Sequence, residues 1–259
     1  TMSSYDTQFV SCEDSMPPKL GFFNGFCTVT SIMIMLVPMH FLQRATKIVL
    51  FDGRTDRIEL LFMTISMTAL FFFNLFEHAT GYIGPPCIDT FGCVTNLMLS
   101  TVLYKVWYNK FNRRGIIQMK RIPVPRNFTI GMISLSFSLI VDGFVKVKFE
   151  QIATKSISGP IGAYVVLTMG KLSWNCSKKE ASESAYWSPL NLWKSACIFA
   201  VLVSIFVELE RSLCHLGSEF SRLYHSIFLH IIISIMFWSI SECAFRLVEI
   251  EEEVKMKDL

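Results

Sequence analysis

Charged side chains are scarce in this chain. Asp, Glu, Lys and Arg make up 17% of its 259 residues, where a soluble domain carries about a quarter. Hydrophobic residues fill 52% of it, with 23 Phe and 13 Met. This composition argues against a soluble enzyme held by one anchor, because several stretches approach the roughly 20 apolar residues that cross a bilayer. The net charge of +3 is small and sits in loops, which suits a membrane topology better than a nucleic-acid partner. No internal repeat, low-complexity segment or soluble domain stands out, and the first residues show no cleavable signal-peptide pattern. There are only five histidines. The eight cysteines read mostly as small buried residues.

The apolar runs predict an all-α, polytopic membrane protein of seven transmembrane helices. The spans are Phe22–Leu42, Glu59–His78, Asp89–Tyr108, Phe128–Val147, Ile157–Trp174, Leu190–Val207 and Tyr224–Cys243. Gly159-Pro160 interrupts the fifth. The first loop holds Arg44, Lys47, Arg54 and Arg57, and the third holds Lys110, Arg113, Arg114, Lys120, Arg121 and Arg126. The second, Ala79–Ile88, has no basic residue. The bias of Lys and Arg towards the cytosol therefore predicts a lumenal or extracellular N-terminus and a cytosolic C-terminus. Residues 1–21 form a lumenal segment, 22–247 the transmembrane domain, and 248–259 a charged cytosolic tail that reads most simply as solvated.

This orientation, drawn from Lys and Arg alone, brings four other residues to one depth. His78 ends span 2, Asp89 begins span 3, and His225 and His230 lie in the lumenal half of span 7. Asp142 in span 4 lies near that level. Ionisable residues at membrane depth are costly and usually functional. Imidazoles with a carboxylate are also what zinc selects in a catalytic site with an open position. Singly, each histidine reads more readily as a hydrogen-bonded core residue; as a set, they read as a metal site.

From Asn74 to Asp89 the chain reads Asn-Leu-Phe-Glu-His-Ala-Thr-Gly-Tyr-Ile-Gly-Pro-Pro-Cys-Ile-Asp. This resembles the seven-span membrane hydrolase superfamily that includes alkaline ceramidases and adiponectin receptors, in which a Ser-x3-His-x10-Asp pattern bridges spans 2 and 3. Glu77-His78-Ala79-Thr80, then Glu210-Arg-Ser-Leu-Cys214 and His225-Ser-Ile-Phe-Leu-His230, are similar to alkaline ceramidase segments in the same order. Cys12-Glu13 followed by Phe22-Phe23-Asn24 resembles that family's N-terminal stretch. The resemblance implies a zinc-dependent intramembrane amidase that hydrolyses a ceramide-like lipid to a sphingoid base and a fatty acid. It implies zinc on His78, His225 and His230, proton transfer by Asp89, and an oxyanion donor at position 74. It further implies a Cys12–Cys214 disulfide and a calcium site to which Glu13 and Asp14 contribute. An endoplasmic reticulum or Golgi membrane fits such a lipid hydrolase better than the plasma membrane.

Three departures from the pattern bear on activity. Asn74 stands where the family has serine, although its amide can still donate a hydrogen bond. His225 and His230 are five residues apart instead of four, which on a regular helix sets them about 140° apart; a π-bulge within Tyr224–His230 would bring them back onto one face. Counting from Cys214, His230 holds the family's place, and His215 is a less favoured substitute ligand. The calcium segment keeps few oxygen donors, where calcium takes 6–8. These departures leave open a second reading: a degraded ceramidase-like protein, a scaffold or receptor, or a hydrolase of another lipid. Met63, Met67 and Phe71-Phe72-Phe73 read as packing or lipid-facing residues. Asn127-Phe-Thr129 and Asn175-Cys-Ser177 are glycosylation sequons in form, both on the predicted cytosolic side.

Overall fold

The apolar runs fold as helices, and no strand occurs among the described residues. The computed structural model describes residues 25–80, 85–113, 124–145, 150–177, 187–214 and 228–257. In chain order the helices are α1 (Gly25–Ile34), α2 (Leu36–Thr46), α3 (Ile58–Thr80), α4 (Pro85–Arg113), α5 (Val124–Val145), α6 (Glu150–Ser177), α7 (Pro189–Cys214) and α8 (His230–Lys257). A π-turn, Lys47–Phe51, and a 3₁₀ turn, Thr55–Arg57, join α2 to α3. Helices α1 and α2 form one rod, because Met35 N–H bonds the Ser31 carbonyl and Met39 N–H bonds the Met35 carbonyl, each at 3.2 Å. Pro38 has no N–H for the Ile34 carbonyl, which accounts for the irregular turn at Met35. Each of the seven expected spans thus coincides, over its described residues, with a helical rod. Four stretches are long and apolar enough to cross a membrane: Thr28–Phe51, Thr55–Phe76, Pro189–Leu209 and His230–Glu253. The chain is an all-helical membrane protein.

Helix α4 is more polar than those four because its neighbours shield it. It packs against α3, α5, α6 and α8, so nearly its whole circumference is buried from Thr90 to Leu103. The hydroxyls of Thr95, Ser100 and Thr101 donate to carbonyls three or four residues back in the same helix, which satisfies them without water. Met63, Met67 and Phe71 of α3 are core residues, whereas Phe72 points outward. In α6 the helix runs through Pro160. Gly170 is required there, since a Cβ would come within 2.7 Å of the Trp193 ring, and the Trp193 indole donates to the Val166 carbonyl at 3.0 Å. Gly170→Ala is expected to cost about 1–3 kcal/mol through overpacking, read as a lower thermal midpoint in detergent. Gly162→Ala on the same helix meets nothing within 4 Å and is expected to be neutral or stabilising.

Side-chain contacts give the directions of the rods. Along α8, His230 meets Thr30, Trp238 and Phe245 meet Phe41, and Glu242 and Glu249 meet Arg44. Numbers rise together, so the α1–α2 rod and α8 are parallel. Against α3 the order reverses: His230 meets His78, Phe237 meets Phe71, Ser241 meets Met67 and Glu251 meets Arg57. Helix α7 is likewise antiparallel to α8, through Ser195 with Ser239 and Phe206 with Phe228.

At the Arg57 end the structure departs, at Glu251 and Glu252, from the solvated tail expected of residues 248–259. Helix α8 runs on to Lys257, and its carboxylates close over the first loop. Arg57 Nη2 donates to Glu251 Oε2 at 2.7 Å, Arg54 to Glu252 at 2.8 Å, and Asn109 of α4 to Glu251 at 2.8 Å. Arg44 bridges Glu242, at 2.7 Å, and Glu249. Lys105 pairs with the fully buried Glu59 at 3.1 Å. Gly53 adopts the left-handed conformation, φ 67°, in the turn that presents Arg54 to α8. Burial works against the charge on Arg54, but the Glu252 and Asp56 carboxylates outweigh it and hold the guanidinium above its ordinary pKa.

Candidate functional site

The opposite end of the bundle is built around two histidines. Asn74 and His78 lie four residues apart on the last turns of α3, hence on one face. His230 opens α8. The two imidazoles face each other with ring centres 5.2 Å apart and planes at 64°, and they are only 7% and 2% exposed. Helix α1 closes the third side. Thr30 Oγ1 lies 2.7 Å from His230 Nδ1, and Asn74 Nδ2 donates to Ser31 Oγ at 3.3 Å. Ser31 is fully buried. Ser234 Oγ donates to the His230 carbonyl at 2.7 Å, the back-bond of a serine to its own helix. Along α8 the rise from His230 to Glu251 is about 30 Å, close to the thickness of a hydrocarbon core. The histidine pair and the ionic end therefore lie a membrane thickness apart.

Asp89 falls just past the first turn of α4, four residues after its first residue, Pro85. The Phe73 and Phe91 rings stack at 5.3 Å with planes 13° apart, and deeper in the bundle Thr95 bonds Ser66 at 3.1 Å. These contacts hold the start of α4 against the end of α3, so the Asp89 backbone lies within about one helical turn of the level of His78. Its side chain lies outside the described residues. Phe228 and Leu229, directly before His230, are π-helical. A π-turn repeats at i→i+5, the winding that a five-residue histidine spacing needs; His225 itself lies outside the described residues.

Of the residues singled out from the sequence, His78, His230 and Asn74 therefore come together at one site. Glu13, Asp14, Cys12, His215 and His225 lie outside the described residues, as do the side chains of Cys87, Asp142 and Cys214. Among the described residues no group of three or more His, Cys, Asp or Glu side chains gathers as a metal cluster. Cys93 is buried and reduced, in keeping with a packing role. Sequence reasoning missed Thr30 and Ser31. Hydroxyl residues in an apolar helix are ordinarily satisfied by their own backbone; only the pairing of two adjacent ones, opposite the histidine level, could have flagged them.

No family model matches the chain, and no match emerges among curated proteins or solved structures. Fold and site together define a class: an all-helical membrane protein with a buried histidine pair where three helices meet at one end of the bundle.

Proposed function

We propose that this chain is a zinc-dependent membrane amidase that cleaves ceramide-like sphingolipids to a sphingoid base and a fatty acid. The observation that carries this reading is the pairing of His78 with His230. Two imidazoles on one tetrahedral zinc, with Zn–N near 2.0–2.1 Å, hold their ring centres about 5 Å apart, and these stand at 5.2 Å. Burial and origin on separate helices fit a site that is part of the fold. His225, five residues earlier in the chain, is the proposed third imidazole. Zinc bound there lowers the pKa of water to about 7 and polarises a carbonyl.

The chain's own residues divide the remaining work. Asp89, at the start of α4, takes the proton of the attacking water. The Asn74 amide has two N–H groups. One is engaged by Ser31, which orients the amide so that the other meets the oxygen of the scissile amide as negative charge develops on it. Ser31 thereby brings a hydroxyl from α1 to the place where the family pattern has a serine on α3. Calcium on Glu13 and Asp14, and a Cys12–Cys214 bond, belong to the same proposal for the N-terminal segment.

With the basic first loop in the cytosol, seven spans direct the site to the lumenal or extracellular leaflet, where a two-tailed lipid reaches it without leaving the bilayer. Purified protein in proteoliposomes is expected to release fatty acid from ceramide, and His230→Ala to release none above background. A well-folded wild type that leaves ceramide intact would overturn the substrate. The orientation has its own test. Asn127 and Asn175 are expected to remain unmodified in a glycosylation-competent cell, so endoglycosidase should leave the protein's mobility unchanged; a shift abolished by Asn175→Gln would reverse the topology.

A further inference from the structure

Helix α1 enters the site through adjacent hydroxyls, and one of them acts on a histidine. Taking His230 as a metal ligand, as in the reading above, we propose that Thr30 is its positioning residue: the Thr30 hydroxyl accepts the Nδ1 proton and thereby leaves Nε2 as the ligating nitrogen. The Oγ1···Nδ1 separation of 2.7 Å is that of a short, well-formed hydrogen bond. It crosses between α1 and α8, so it restrains the ring from outside its own helix. That restraint matters because the residues directly before His230 are π-helical, and the ring therefore sits where α8 changes its winding. The tautomer follows from the chemistry of ligation. A neutral imidazole that gives Nε2 to a metal carries its proton on Nδ1, and a hydroxyl oxygen facing Nδ1 must accept it. The reverse bond, with the hydroxyl donating to Nδ1, would put the proton on Nε2 and block the metal.

Thr30 is suited to this by stiffness as well as by chemistry. Its branched Cβ restricts the side-chain rotamers in a helix, so the hydroxyl is held in place before any ligand arrives. Its neighbours pin α1 on either side: Ser31 bonds Asn74 of α3, and Thr28 and Ile34 are buried. One short segment of α1 thus sets the orientation of a histidine on α8 and an amide on α3.

The test compares wild type with Thr30→Ser and Thr30→Val, the second nearly isosteric but without the hydroxyl. Zinc retention is read by elemental analysis after equilibration with graded chelator, and the His230 tautomer by nitrogen NMR of imidazole-labelled, metal-free protein. Thr30→Ser, which keeps the hydroxyl but not the branched Cβ, is expected to retain zinc within a few-fold of wild type, and Thr30→Val to bind zinc about 10–100-fold more weakly while eluting as a folded species. Wild type is expected to show the Nδ1–H tautomer. Equal zinc retention in Thr30→Val overturns the proposal, as does an Nε2–H tautomer in wild type. The tautomer is read without metal and without Thr30→Val, so it decides the role of Thr30 even if that variant misfolds. A zinc-free wild type, by contrast, removes the amidase reading itself.

Discussion

Purified wild type is expected to carry about one zinc per chain, and His78→Ala and His230→Ala each to lose it together with all ceramide hydrolysis. The effect would be large because each imidazole would be one of the few protein ligands of the proposed site. Either truncation leaves a cavity among buried side chains without adding bulk or charge, so both variants should remain folded. Loss of metal from a protein that still elutes as a single folded species is therefore the informative result. His40→Ala is the matched control. It removes a histidine that lies on the α1–α2 rod instead, stacks on Trp238 at 5.0 Å and lies on an exposed face, and it should leave zinc content and turnover intact. Asn74→Ser introduces the serine of the alkaline ceramidase pattern that this segment resembles. It is expected to keep zinc and to sustain turnover at or above the wild-type rate. Zinc retained by both His78→Ala and His230→Ala would sink the site.

The parts of this arrangement that could be read from the sequence are those that rest on long, one-dimensional signals. Apolar runs bounded by charged loops define rods, because a bilayer demands an internally hydrogen-bonded segment of about 20 residues. His78 and His230 were legible because ionisable groups stand out against Phe, Leu and Ile, and Asn74 because it stands at the serine position of the pattern the segment resembles. Their common depth followed from alternating helix directions. Thr30 and Ser31 were not legible: their roles depend on the rotation of α1 about its axis, which no apolar pattern in that short segment determines. The tail was misread for a different reason. Glu249, Glu251 and Glu252 look like a solvated acidic run, yet no glycine or proline interrupts the chain between His230 and Lys257. The helix therefore continues past the apolar stretch, and three first-loop arginines await its carboxylates. Both facts were present in the sequence, but pairing them needs contacts about 200 residues apart.

That ionic end carries the second large effect. Arg57→Ala is expected to destabilise the protein by about 3–5 kcal/mol, the usual consequence of deleting one member of a buried pair. Arg57 is 2% exposed and Glu251 8%, so removing the guanidinium deprives Glu251 of a charge-assisted bond in a place water barely reaches. The cost is not limited to one bond. Arg57 Nε lies 3.3 Å from Glu252 Oε1, near enough for attraction although too poorly aligned for a hydrogen bond, and Arg57 also lies in the field of Glu59. Arg54→Ala provides the contrast: its pair with Glu252 is about a third exposed on the arginine side, and such pairs contribute about 0–1 kcal/mol. The thermal midpoint in detergent should therefore fall sharply for Arg57→Ala and barely for Arg54→Ala. Arg57→Met combined with Glu251→Leu should recover part of the loss, since apolar replacement of a whole buried pair is often neutral. Asn109, which bonds Glu251 Oε1, would then lack this partner and keep the recovery incomplete. The folded fraction of Arg57→Ala should still bind zinc with wild-type affinity, because the two ends share no residue and stand about 30 Å apart along α8. An unchanged midpoint in Arg57→Ala would mean that the α8 carboxylates rest on the first loop without holding it, and that packing around Phe41, Phe71 and Phe245 alone secures α8 in the bundle.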